Sequence, residues 1–281
     1  MSINVDWLAK KFPKLSGIKS LGEGGQKWVF TCYHPTYKKI VLKLIKPGGE
    51  QRLDREIEAV KRVPDHAPKI HEIGFIDSEV GQLVWILEDY IDGITLSDIL
   101  KKGPLDKSQI LKIANDLLSA VTDAEAKKVI HRDIKPDNIM IDKDGKTWIL
   151  DFGIARILDM ESKTRTDAVS GPHSPGYGAP EQFRNRKQEI DGRTDLFAIG
   201  ITLYESATGI NPFLKDARDR LDVLKRVETE PLPRLVLPWD INAAFSDLVA
   251  SFTQKYPYQR PHTCSDALAW FQEINRGLGG V

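Results

Sequence analysis

At 281 residues the chain is long enough for one large domain or two lobes around a sizeable core. Forty basic and forty acidic side chains cancel, which excludes a whole-chain attraction to nucleic acid or to an anionic membrane. The apolar share of 41% and charged share of 28% are ordinary for a soluble globular protein, and no stretch reaches the roughly 18 uninterrupted apolar residues of a membrane span. Cys32 and Cys264 match no metal or redox spacing and read as reduced, buried or half-buried thiols. Residues 1–14 carry no apolar leader, so the expected location is the cytoplasm.

Residues 6–12 suit a short helix with Trp7, Leu8 and Phe12 on one side, stopped by Pro13 and Gly17. Three β-like runs follow: one around Ile18 and Ser20, then residues 28–33 and 40–45. Between the first two lies Gly22-Glu23-Gly24-Gly25-Gln26, either a turn whose amides approach an anion or an ordinary hairpin turn. Lys43 stands in an otherwise apolar run, so it either meets a partner or ligand there or faces water on an alternating strand. Residues 51–62 fit a helix with Leu53, Ile57 and Val60 on one face, and it offers Glu56 and Glu58 as partners for Lys43. Pro64 and Pro68 end it, and strands are expected over 70–76 and 82–90.

After Asp92-Gly93 the period becomes helical, over 96–101, 107–127, 194–208, 218–227, 243–254 and 265–276. In the longest of these, Ile110, Ile113, Leu117, Val121 and Ala124 step by three and four. The expected class is α+β: a β-rich lobe over about 1–90, a hinge over about 89–93 and an α-rich lobe over about 94–276, together one domain over 1–281. One segment breaks the apolar pattern of the second lobe. His131-Arg132-Asp133-Ile134-Lys135-Pro136-Asp137-Asn138 packs six polar side chains between two apolar runs, and a turn alone does not require that set.

With Asp151-Phe152-Gly153 downstream, this segment resembles the catalytic loop and metal-binding motif of protein kinases, and the other motifs follow in that family's order. Gly22 and Gly24 resemble the phosphate loop, with Lys27 in place of its third glycine. Lys43 resembles the strand lysine that holds the α- and β-phosphates, and Glu56 its helix partner. Ala179-Pro180-Glu181, Asp195 and Arg260 resemble the features that close and brace the activation segment.

The resemblance implies a bilobal kinase fold and ATP-dependent phosphorylation of protein Ser/Thr hydroxyls, the chain itself among the substrates. Asp133 would be the base and Lys135 a charge beside the moving phosphoryl group, while Asn138 and Asp151 would hold Mg²⁺, with Mn²⁺ as an alternative. Val29, Val41 and Met140 would sandwich adenine against a hinge that includes Asp89 and Ile91. Ser174 would bridge Asp133 and Lys135; Thr164, Thr166 and Ser174 are the candidate phosphorylation sites, which Arg132 would read.

Counted back from Gly93, Glu88 falls behind the adenine, where an acid needs a partner or a raised pKa, unless the register is off by one. A pseudokinase scaffold is disfavoured because Lys43, Glu56, Asp133, Asn138 and Asp151 are all present. A small-molecule phosphotransferase is disfavoured by the Ala-Pro-Glu segment, Asp195 and Arg260. The chain stops just past the last motif, which suits a free-standing enzyme or a fragment equally.

Overall fold

Strand alternation organises the first lobe. The computed structural model describes residues 3–24, 27–46, 65–79, 81–152, 174–184 and 186–279. Five strands, β1 (Ser16–Gly24), β2 (Lys27–His34), β3 (Lys38–Ile45), β4 (Ile70–Ser78) and β5 (Gly81–Asp89), form one sheet in the order β1-β2-β3-β5-β4. Every neighbouring pair is antiparallel. The register pairs Phe30 with Leu42 and Leu42 with Leu87, so the even-numbered apolar residues of β2 and β3 share a face with Leu83 and Leu87 of β5. That face is closed by helix α1 (Val5–Lys11), whose Leu8 is fully buried against Trp28, Phe30, Leu42 and Leu44. Asn4 caps α1 by accepting from the Trp7 amide at 2.8 Å.

The opposite face carries the chemistry. Lys27 and Val29 on β2, Val41 and Lys43 on β3, and Ile86 and Glu88 on β5 all point that way by the same alternation. The expected helix over 51–62, and with it Glu56, lies outside the described residues.

The second lobe is built around a buried helix. Its elements are β6 (Gly93–Thr95), α2 (Leu96–Leu100), α3 (Lys107–Ala126), a 3-10 turn at Pro136–Asn138, β7 (Ile139–Asp142), β8 (Thr147–Ile149), α4 (Pro180–Phe183), α5 (Gly192–Thr208), α6 (Arg220–Thr229), α7 (Ala244–Phe252) and α8 (Cys264–Gly277). Asp106 and Gln109 start α3 with a reciprocal cap: the Gln109 amide donates to Asp106 Oδ1 at 2.9 Å, and the Asp106 amide donates to Gln109 Oε1 at 3.1 Å.

Helix α5 is buried on nearly all sides. Leu196, Ile199 and Leu203 face the main core with Leu117, Val121, Phe252 and Phe271. Phe197 and Ile201 face a second cluster with Tyr177, Phe183, Phe213 and Val227, beneath the end of the activation segment. Gly200 allows the close approach of α7, because a Cβ there would meet Thr253 Cγ2 at 2.7 Å.

The six helices expected in this lobe form within a few residues of their expected limits. The small sheet β6-β7-β8 was not expected, because strands of three or four residues are too short to show a period. It ties down the end of the polar segment: β7 continues directly from the Pro136–Asn138 turn. Cys32 and Cys264 are both free and fully buried, and burial pushes the Cys32 thiol up to about 11. No helix among the described residues is long and apolar enough to cross a membrane.

Because Leu8 joins α1 to the sheet, Leu8→Ala is expected to lower stability by about 2–5 kcal/mol in urea unfolding. A change under ~1 kcal/mol would show that α1 does not contribute to the first lobe's core.

Candidate active site

The polar segment of residues 131–138 is held by its backbone. Asp195, at the N-terminal end of α5, accepts from the His131 amide through Oδ2 and from the Arg132 amide through Oδ1, both at 2.8 Å. Burial pushes the Asp195 carboxyl up; His131 and the two amides oppose that without cancelling it. Arg132 adopts φ +69°, a left-handed conformation that a non-glycine residue holds only when its surroundings fix it. Gln182 adds a second hold, donating from Nε2 to the Arg132 carbonyl at 2.9 Å. The His131 ring is fully buried, edge-on to Phe152 at 4.6 Å. Its Nδ1 accepts from the Asp133 amide at 3.1 Å, so Nε2 carries the proton given to the Leu150 carbonyl at 2.7 Å. Both ring nitrogens are thereby committed to scaffold.

The side chains that follow converge on Asp133. Its Oδ1 accepts from Ser174 Oγ at 2.7 Å, and its Oδ2 accepts from Asn138 Nδ2 at 2.9 Å. Lys135 Nζ donates to Ser174 Oγ at 2.5 Å and lies 3.2 Å from Asp133 Oδ2. The bridge expected of Ser174 is therefore present. Asn138 Nδ2 also donates to the Asp133 carbonyl at 2.8 Å, which leaves the amide oxygen as the Asn138 atom able to take a cation.

Asp151 lies between two lysines in a row of charges of alternating sign, Lys27, Asp151, Lys43 and Glu88. Lys27 and Lys43 both contact it, Lys43 Nζ at 2.6 Å from Oδ1, and Lys43 also contacts Glu88. Burial pushes the Asp151 carboxyl up, but Lys43 and Lys27 outweigh it and hold the group well below the usual carboxylate range. Burial disfavours the Lys43 ammonium, yet Asp151 and Glu88 more than offset this and keep it charged. Glu88 is raised, because burial and the nearby Asp151 exceed the pull of Lys43.

A divalent cation fits this donor set. Mg²⁺ prefers hard oxygen ligands from one or two protein groups, with phosphate oxygens and water completing the shell, and the Asp151 carboxylate and Asn138 amide oxygen are of that kind.

The predicted adenine-lining residues sit where the sheet brings them. Val29 is opposite Lys43, Val41 opposite Glu88, and Met140 lies on β7 opposite Thr95. Asp89 ends β5, where its carboxylate meets His71 Nε2 at 2.7 Å; Ile91 follows in the hinge. Gly22 and Gly24 pair with Val29 and Lys27 across the β1–β2 hairpin. Glu56, Thr164 and Thr166 lie outside the described residues. Sequence reasoning left two groups without a role, Lys27 and Glu88. The signal for both was alternation: each shares the parity of the cleft-facing residues on its strand.

The end of the activation segment is anchored by a buried pair. Arg260 grips Glu181 with two parallel bonds, Nη1 to Oε1 at 2.7 Å and Nη2 to Oε2 at 3.0 Å, both side chains at most 1% exposed. Thr194 Oγ1 adds a bond to Glu181 Oε1 at 2.9 Å, and Arg260 also donates to the carbonyls of Arg193 and Gln254.

A strand lysine on a carboxylate, a braced loop aspartate and an Arg-anchored segment together match the arrangement of the protein kinase fold. The sequence profile of the protein kinase domain matches residues 15–270, and the chain belongs to the protein kinase family. Within it the chain resembles bacterial Ser/Thr kinases. It is 33% identical over 273 residues to serine/threonine-protein kinase pkn3 of Myxococcus xanthus, covering 91% of this chain and 49% of that protein. It is 29% identical to PknD of Mycobacterium tuberculosis, covering 95% of this chain and 40% of the relative, and 33% identical to PknB of Mycobacterium leprae, covering 74% and 33%. The chain thus spans half or less of the length of these relatives.

Arg260→Met would leave the Glu181 carboxylate buried without its cation. The expected cost is about 3–5 kcal/mol in chemical denaturation. A loss below ~1 kcal/mol would mean that the segment is anchored elsewhere.

Proposed function

We propose that this Ser/Thr protein kinase domain transfers the γ-phosphate of ATP to Ser or Thr hydroxyls of proteins, with Asp133 as the base. The observation that carries the reading is the convergence of Asn138, Lys135 and Ser174 on the Asp133 carboxylate. Proton transfer requires a carboxylate held in one orientation within hydrogen-bond reach of the attacking hydroxyl. Asn138 and Ser174 supply the orientation, and Asp195 fixes the backbone beneath it. As the hydroxyl oxygen bonds to the γ-phosphorus and the bond to the β-phosphate oxygen breaks to release ADP, Asp133 accepts the hydroxyl's proton, and Lys135 offsets the charge that spreads over the phosphoryl oxygens.

ATP would lie between the lobes, its adenine between Val29, Val41 and Met140 and its edge along the backbone of Asp89 and Ile91. Gly22 and Gly24 would let the loop backbone approach the phosphates, and Lys43 would hold the α- and β-phosphates with Glu56 behind it. Mg²⁺ held by Asp151 and Asn138 would supply charge neutralisation along the phosphate chain, and Mn²⁺ has the same donor preference. The need for ATP supports the cytoplasm as the place of action, and residues 1–281 are read as one kinase domain. The hydroxyl class rests on Lys135 and Ser174, the pair that resembles the Lys and Thr of Ser/Thr kinases.

Ser174 suits a structural bridge better than a modification site, since a phosphate on Oγ would stand against Asp133. Thr164 and Thr166 remain the proposed sites of autophosphorylation, read by Arg132.

Two outcomes are expected. Asp133→Asn lowers kcat for transfer of ³²P from ATP to a generic protein by about 10²–10⁴-fold without unfolding the chain; equal labelling by parent and variant would sink the mechanism. Incubation of the parent with MgATP adds phosphate at Thr164 or Thr166, read by peptide mass spectrometry; an active enzyme with both threonines unmodified would remove them as sites.

A further inference from the structure

Lys43 and Glu88 are placed by the sheet itself. Lys43 pairs with Ile86 and Val41 with Glu88, so Glu88 is the diagonal neighbour of Lys43 on the same face of two adjacent strands. Diagonal positions lie about 7–8 Å apart at the backbone, a span that a lysine and a glutamate close between them. They do close it: Nζ meets Oε1, with Lys43 at 3% and Glu88 at 6% exposure. Neither side chain is long-lived in such a site without a counter-charge.

The second partner of Lys43 is of another kind. Asp151 sits at φ +64° beyond β8, on the other lobe, and is shared with Lys27. A carboxylate that takes up a metal with the nucleotide has less of itself to give to two lysines. Glu88 has no such second task among the described residues. It lies one strand away from Lys43, rather than on a separate helix.

We propose that Glu88 is a positioning residue, a fixed counter-charge that keeps Lys43 aimed at the phosphate site when the nucleotide and its metal draw Asp151 away. The inference rests on the reading of Lys43 as the phosphate-holding lysine and adds to it a partner that travels with the same sheet. Glu88 touches Lys43 and not the reacting atoms, so its effect on the reaction is indirect. Lys43 therefore keeps its aim through the strand register, whatever Glu56 contributes from residues 51–62.

The test uses the full 281-residue chain and two readouts. The first is thermal melting of Lys43→Met, Glu88→Met and the double variant without nucleotide. Lys43→Met strips Glu88 of its cation and Glu88→Met leaves Lys43 with Asp151 alone; both lower Tm, and the double variant recovers at least half of the summed loss. Effects that simply add would overturn the pairing. If a single variant does not fold, the double variant decides alone: folded supports the pair, unfolded overturns it.

The second readout is steady-state phosphotransfer by Glu88→Gln. The expected result is a kcat at least threefold lower, with KM for ATP changed less than twofold. A kcat within threefold of the parent, or a loss carried by KM, would overturn positioning. Failure of the underlying reading shows separately, as phosphotransfer that survives Lys43→Met.

Discussion

The active geometry depends on one buried carboxylate. Asp195 holds two consecutive backbone amides, those of His131 and Arg132, in a conformation the chain would not adopt unaided. Its own position is set by α5, which is buried on nearly all sides and packed between two apolar clusters. A shift of that helix would move the loop, and with it Asp133, Lys135 and Asn138 together. Rigidity is thus delivered to polar groups through an apolar helix. The loop is stiff because the side chain that grips it has nowhere to go.

The first lobe solves a different problem with one sheet. One face is an apolar core closed by α1, and the other carries charge into the cleft. Period two makes both faces from the same eight-residue strands. Because β3 from Ile40 onward is buried and apolar on both faces except at Lys43, the lysine enters the cleft from a strand that packing will not allow to slide. A slip of one residue would turn the ammonium onto the face of Phe30 and Leu87.

Much of this was legible in the chain, for physical reasons that differ by element. Helix α3 showed itself because Ile110, Ile113, Leu117 and Val121 keep one face over about three turns. The His131–Asn138 segment stood out because six polar groups interrupt apolar runs. Its bridge through Ser174 followed only from the family pattern, since no local rule links positions 39 apart. The partner of Lys43 was not legible. Parity shows that Glu88 faces one side of β5, but which residue of β3 it meets depends on a register between strands some forty residues apart. Lys27 was obscured likewise: its contact with Asp151 spans 124 positions. The strands β6, β7 and β8 escaped because three or four residues show no period.

The buried Glu88 also bears on inhibitor design. ATP-competitive compounds commonly gain affinity by pushing an aromatic group past the adenine, into space that is apolar when the residue there is apolar. Here that wall ends in a carboxylate already matched to an ammonium. A hydrocarbon arm placed there would separate the two charges or strip their contact, a cost of several kcal/mol for each ion left without a partner. A short, neutral hydrogen-bond-donating arm would instead meet the Glu88 carboxylate without setting a second cation against Lys43. With ATP placed as proposed, this wall favours small neutral hydrogen-bond donors over large apolar substituents.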